Sequence, residues 1–503
     1  MSSTRPPAPA WRHRLYQAFR VVSALVLLSA AVVLTRWGAA PAAPTPDVGG
    51  LTLDAPSTDV LLTCPAAPAN TLEAVNLGAT TTRTTVTPLG DSQVNLDGSA
   101  LAVGAPTSTD TARGGVLTVP AAHRTGAGAL GLVTTSTPDG DLRGLTAAAC
   151  VPPSTVSWIV GGSGAVGSSA ELRLTNPGTT TVTARIRLYG STGERPLPAR
   201  GQISLAAGKS GSVLLETAGA DERLAVSVEA TGGSLGVVMV TESLDGETPT
   251  GVEVLTPGPA PSTDQTVPGV VLTAPESQGE VADTTTGAVS SQAPVLRVVN
   301  PGTGTATVSV SLVGADGQTP LPGAQEVRID PGAVFDTSLA GSAPGPYGVR
   351  VTSDQPVGAA VRLVRSAGEY PAKSGALAGD VAWIQAGHDG AVTSGTLVVP
   401  QGEGLTSQLV VTNSATTEAT VTLTSADGTW SQDVAVPAST TLVPDVPTTV
   451  AALTLSSPAQ GPSLSAAVVT TQEVGGDVPG TLIAALPAVP DSAVLAQRTL
   501  LMR

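Results

Sequence analysis

Leu172-Arg173-Leu174-Thr175-Asn176-Pro177-Gly178-Thr179 decides how this chain is read, because the phrase returns. Leu296-Arg297-Val298-Val299-Asn300-Pro301-Gly302-Thr303 is nearly identical, and Leu409-Val410-Val411-Thr412-Asn413-Ser414-Ala415 is a worn copy. Asn176, Asn300 and Asn413 stand apart by about the length of one small domain, so the chain reads as tandem copies of one unit.

The copies can be followed outward. An apolar-alternating run follows each asparagine, at 182–188, 308–313 and 421–423, and ends in a turn at 191–194, 315–318 and 426–429. Asp316-Gly317 and Asp427-Gly428 are hairpin signals, since glycine takes positive φ without a Cβ clash. A second hairpin is expected around 203–208, 327–332 and 434–439. A closing strand pair then ends each unit: 224–228 with 235–240, 349–352 with 357–363, and 453–455 with 464–469. Val156-Ser157-Trp158-Ile159 and Val381-Ala382-Trp383-Ile384 read as leading strands with core tryptophans, a seventh strand for the first and third units. Seven short antiparallel strands in a unit of this size predict an all-β chain of tandem immunoglobulin-like sandwiches; the alternative is a β-propeller.

Composition agrees with β structure. The 503 residues are 41% hydrophobic but only 2% aromatic, so cores must be built from aliphatic side chains. Glycine (57) and proline (42) are abundant, which favours turns over long helices. The net charge of −15 and just two lysines, Lys209 and Lys373, exclude the clustered basic face that nucleic-acid binding needs.

Residues 1–20 form a basic tail with Arg5, Arg12, Arg14 and Arg20, and residues 21–35 then run without a charge to Arg36 and Trp37. The arginines place the N-terminus in the cytoplasm and the bulk of the chain outside. The apolar run is short for a span and long for a signal peptide. A transmembrane anchor at 21–37, eased by snorkelling arginines, therefore stands beside cleavage near Ala40-Pro41-Ala42 and secretion. Residues 38–59 are an Ala/Pro/Thr-rich spacer.

Cys64 and Cys150 are the only cysteines. On the exported side they read as a disulfide closing a β domain at 60–150, the alternative being two unpaired thiols. The runs at 131–133 and 142–149 resemble a closing strand pair, which leaves open a fourth, decayed copy. The remaining divisions are sandwiches at 151–256, 268–375 and 381–488, linkers at 245–268 and 366–380, and a tail at 489–503.

The chemistry sought in these residues does not assemble. His123 and His388 have no metal-ligand spacing around them and no nucleophile elbow to serve, so both read as loop positions. Gly161-Gly162-Ser163-Gly164 is followed by no lysine and is a loop. Asp139-Gly140-Asp141 is a turn that lacks the further ligands of a calcium loop. No catalytic, cofactor or metal residue is nominated.

Leu62 to Pro65, Cys150 to Gly162, Asn176 to Gly178 and Asn300 to Gly302, behind a basic N-terminus and one apolar segment, resemble an uncharacterised actinobacterial family. Its members are exported or single-pass envelope proteins carrying a domain of unknown function. Ser414 stands where that pattern has proline, so the third copy's turn is expected to be built differently. The resemblance implies a setting near membrane glycosyltransferases, and hence envelope glycan assembly, but offers no catalytic residue. The expectation is a non-enzymatic, membrane-anchored extracytoplasmic scaffold or adaptor, shaped as a rod of tandem sandwiches. Its expected partners are the membrane, an envelope protein or membrane glycosyltransferase, or cell-wall glycan. The alternatives are a glycan-binding or carbohydrate-active protein, or a sandwich that pairs a partner's strand on an exposed edge.

Overall fold

The computed structural model describes residues 19–29, 58–110, 112–198, 201–274, 293–371, 373–388, 391–458, 464–476 and 478–491. Residues 1–18 of the basic tail, the second half of the apolar segment, the candidate cleavage site, most of the spacer and the tail beyond 491 lie outside the described residues. The chain divides into two units, residues 1–55 with 498–503, and residues 56–497. In the first, residues 19–29 are helical, and Val21, Val22, Leu25, Val26, Leu27 and Leu28 are all exposed. Among the described residues no helix is long and apolar enough to cross a membrane.

The second unit is all-β and contains four copies of one module. The first holds β1 (Val60–Cys64), β2 (Thr81–Pro88), β3 (Asn95–Leu96), β4 (Ser99–Ala100), β5 (Thr107–Thr109), β6 (Gly115–Val119), β7 (Ala129–Thr137) and β8 (Gly144–Ala149). The second holds β9 (Val156–Val160), β10 (Ser168–Thr175), β11 (Val182–Gly190), β12 (Gly193–Arg195), β13 (Gln202–Leu205), β14 (Ser210–Leu214), β15 (Ala225–Thr231), β16 (Gly236–Asp245) and β17 (Thr248–Leu255). The third holds β18 (Ser262–Leu272), β19 (Val295–Val299), β20 (Ala306–Gly314), β21 (Gly317–Pro320), β22 (Val327–Ile329), β23 (Val334–Ser338), β24 (Gly345–Glu369) and β25 (Leu377–Gln385). The fourth holds β26 (Ser394–Val398), β27 (Leu405–Asn413), β28 (Ala419–Ser425), β29 (Ser431–Val436), β30 (Thr440–Leu442), β31 (Ala452–Ser456), β32 (Leu464–Val474), β33 (Gly480–Pro487) and β34 (Val489–Pro490).

The second module shows the plan. One sheet runs β12–β11–β15–β9 with β13 also on β11, and the other runs β14–β10–β16–β17, all antiparallel. Ala170, Leu172 and Leu174 of one sheet meet Ala184, Ile186 and Leu188 of the other in a single core, which makes a sandwich. The β10–β14 and β11–β15 pairs are those at the centre of an immunoglobulin sandwich, but the first strand lies beside β15 and β16 beside β10, in exchanged sheets. The first module repeats this order as β4–β3–β6–β1 and β5–β2–β7–β8. Its β7–β8 hairpin therefore corresponds to β16–β17, one strand later than the closing pair it resembles in sequence.

Several local readings change. The expected second hairpin is a crossover: β13 pairs with β11 whereas β14 pairs with β10, in the opposite sheet. The closing pair likewise splits between sheets, and in the third module it is one strand, β24, whose first half pairs with β20 and whose second half pairs with β19. The linker expected at 245–268 is mostly strand. Pro268-Gly269 sits at a register shift in β18, where a missing amide is tolerated. The stretch 366–380 is the end of β24, a turn and the start of β25. Trp383 lies on β25, which pairs with β24 and so closes the third module; it is not a leading strand of the next.

The modules do not line up as a rod. In each β14-type sheet one face closes its own sandwich and the other packs on the preceding module. Val238, Val240 and Val254 pack with Ala148 of the first module. Val295, Val299 and Trp383 enter the core of the second, and Val469, Ile483 and Ala485 enter that of the third. The ring closes where Leu130, Leu132 and Leu145 of the first module meet Leu482, Ala484 and Leu486 of the fourth. Each fully buried leucine contributes ~1.5–3 kcal/mol to such a joint. The last strands β8, β17, β25 and β33 lie innermost, each against the next. The four inner sheets thus stand as blades do in a propeller, although each is half of a sandwich.

Candidate functional site

The repeat asparagines are structural, and all three do the same work. Asn176 Nδ2 donates to the carbonyls of Thr180, Leu205 and Ala206 at 2.8, 3.0 and 3.1 Å, while its Oδ1 accepts the Gly178 amide at 3.0 Å. Asn300 repeats this with Gly304, Ile329, Asp330 and Gly302. Asn413 repeats it with Thr417, Val436, Pro437 and Ala415, so the third turn is not built differently. Every partner is a backbone group, which is why Ser414 can replace proline without altering the turn. Pro177, Gly178, Pro301 and Gly302 complete these turns.

The arginine in the same phrase joins the modules. Arg297, 1% exposed, makes a two-pronged pair with Asp336 at 2.8 Å and donates to the carbonyls of Gly162 and Glu222 in the module before it. Arg173, beside Glu171, reaches the carbonyls of Ala66 and Ala67 in the same way. Val410 takes this position in the worn copy, where Thr441 Oγ1 donates across the joint to the Val313 carbonyl instead.

Two carboxylates hold the hub. Asp380 Oδ2 accepts the amides of Leu145 at 3.0 Å and Ile483 at 2.8 Å, from the first and fourth modules, and Oδ1 accepts that of Val381. Glu253 accepts the amides of Val254 and Trp383. Burial pushes Asp380 up to about 7, against the pull of those three amides and of Arg143. Burial also raises Glu253 well above the ordinary carboxylate range.

A pocket opens where the module ends converge. After each inner strand the chain bridges the leading strand of its own module. Val151 exchanges bonds with Thr63, Gly258 donates to Trp158, Gly387 donates to Thr266, and Val489 pairs with Thr396. The segments that do this, Pro152-Pro153, Pro257-Gly258-Pro259, Gly387-His388 and Pro487-Ala488-Val489-Pro490, come together around a pocket of about 410 Å³. Val156, Val489 and the prolines form its apolar wall, and no Asp, Glu, Lys or Arg lines it. His388 Nε2 lies 3.2 Å from the Pro257 carbonyl. The histidine that reads from sequence as a plain loop residue is therefore part of the wall. The signal that could have found this pocket is the proline cluster after three of the four inner strands, β8, β17 and β33.

Cys64 and Cys150 form the disulfide, with Cα atoms 4.1 Å apart. It ties β1 to the end of β8 and fixes Val151 and Pro152 at the pocket's edge. His123 lies in an exposed turn. Asp141 holds a neighbouring loop through the amides of Val75 and Asn76. Among the described residues no group of His, Cys, Asp and Glu is arranged to hold a metal ion.

Residues 105–447, more than half of the chain, match DUF5719, described as a family of unknown function. No curated protein matches the chain. A solved structure from Thermotoga maritima, titled "Crystal Structure of Thermotoga maritima 1070", is similar at 15% identity over 25% of this chain and 93% of that one, with a TM-score of 0.17. That likeness carries no argument about fold or function.

Proposed function

Because the chain belongs to DUF5719, a family of unknown function, we propose its role from its own construction: a non-enzymatic scaffold or adaptor, anchored by its N-terminal segment with the β unit outside the cell. The observation that carries this reading is where the chemistry-bearing side chains lie. Asp380, Glu253, Arg173 and Arg297 bond to backbone groups across module joints, while the pocket is lined by neutral residues. Side chains used in this way build a surface and leave little to act on a substrate.

Anchoring is supported by a helix at residues 19–29 that exposes its apolar side chains, with Arg20 in its first turn and Arg5, Arg12 and Arg14 ahead of it. The disulfide suits an oxidising exterior. A place in an actinobacterial envelope, as an accessory to glycan assembly beside a membrane glycosyltransferase, belongs to the same proposal.

The test is fractionation with protease added to intact cells. The β unit should be digested from outside and the chain should stay with membranes after an alkaline wash. Deleting residues 1–37 should abolish membrane retention. A protected β unit, or secretion of a processed chain with a new N-terminus near residue 43, would overturn the anchored reading. Crosslinking in the same cells should capture a membrane glycosyltransferase; its absence removes the glycan-assembly role alone.

A further inference from the structure

The pocket between the four module ends limits its occupant by chemistry. Its lining holds no formal charge apart from the titratable His388, so carboxylates, phosphates and acidic glycans find no counter-charge there. It holds no Trp, Tyr or Phe, so sugar and base rings find no stacking partner. Its size falls within the range that takes a small ligand.

A peptide is also disfavoured, because the backbone along the wall is already paired. Ser154 Oγ accepts the Val156 amide at 3.2 Å and donates to the Val156 carbonyl at 2.7 Å. Gly258 donates to the Trp158 carbonyl at 2.8 Å. Gln385 closes the next step like a borrowed strand: its Oε1 accepts the Val160 amide and its Nε2 donates to the Val160 carbonyl. The prolines add no donors. An added strand would find the amides of Val156, Val160 and Gly258 already engaged and none on the prolines to meet its own carbonyls.

What remains is an occupant that asks for no hydrogen bond inside. We propose that this pocket binds a single fatty-acyl chain, its tail against Val156, Val489 and the surrounding prolines and its polar head at the mouth. Three of the four segments around the cavity carry proline pairs, which stiffen its wall so that it need not collapse when empty. The proposal goes beyond the adaptor reading and does not rest on it.

The test is photolabelling of the full-length chain with a diazirine analogue of myristate, mapped by peptide mass spectrometry. Labels should fall on residues 151–157, 256–260 and 487–490, with the apolar helix at 19–29 as an internal positive control. Val156→Trp fills the pocket from a position that is 49% exposed, so the fold tolerates it. Pocket labelling should be lost in this variant while helix labelling stays. Labelling confined to the helix, or pocket labelling unchanged in Val156→Trp, overturns the proposal. A parallel arm with a diazirine-acyl phospholipid separates the sources. Labelling by the acid alone assigns a free fatty acid, and labelling by both assigns a chain still joined to its headgroup.

Discussion

Arg297 lies over the indole ring of Trp383, 4.7 Å from its centroid, and both project from the third module into the second. The cation sits on the electron-rich ring face while its nitrogens hold Asp336 and two carbonyls of the neighbouring module. Arg297→Met should cost about 3 kcal/mol, since it takes the two-pronged partner from an Asp336 carboxylate that is only 12% exposed. Pairing it with Asp336→Leu should restore most of the loss, and Arg297→Lys should not. Denaturant midpoints of the four proteins decide the matter; equal stability of the single and double variants would contradict this account.

The three asparagines should be interchangeable in worth. Asn413→Ala removes the same four hydrogen bonds as Asn176→Ala, so each should lower stability by about 2–4 kcal/mol. A much smaller loss at Asn413 would mean that the worn copy has a turn of a different kind.

The hub predicts a slope with pH. A carboxyl raised from 3.8 to about 7 contributes most to folding when protonated. That contribution is complete below the unfolded value and is lost as pH climbs through about 4 to 7, by at most ~4 kcal/mol. Glu253, raised by burial, slopes the same way, and Arg143 and Arg365 oppose ionic repulsion there. Asp380→Asn should flatten this part of the stability profile measured by thermal melting. An unchanged slope would show that Asp380 stays ionised throughout.

The Cys64–Cys150 bond closes a loop with a sequence separation of 86. In the chain-entropy model, reduction should cost about 4–5 kcal/mol. The loss should concentrate in the first module and at the pocket edge. Hydrogen exchange before and after reduction reads it, with β1 and β8 gaining exchange and β28 remaining protected.

Much of the module was legible in the sequence, and the assembly was not. Asn176, Asn300 and Asn413 mark the copies because one side chain must satisfy four backbone groups, and few residues can. The turns at Asp316-Gly317 and Asp427-Gly428 announce themselves locally. Which strand a segment pairs with is a different matter. The stretch at 203–208 turns like a hairpin, yet its two strands leave for different sheets. Trp383 looks like Trp158 because both sit in Val-X-Trp-Ile, but one leads its module and the other ends it. Arg173 and Arg297 lay inside the very phrase that defined the repeat. Their task was hidden because their partners are carbonyls of another module, which carry no signal of residue type. The pocket was hidden for a related reason, since each proline cluster looks like an ordinary linker until three of them meet beside His388.

The closure of the modules upon one another also fixes their number. In an open array of repeats a duplicated copy simply lengthens the chain, and such arrays gain and lose units freely. Here the back of every module is already claimed by its predecessor, and the first by the last. A fifth copy would find no vacant place and would have to prise the circle apart to enter. The count of four is thus held by geometry, and an insertion that leaves the joints intact has only the loops and outer rims to occupy.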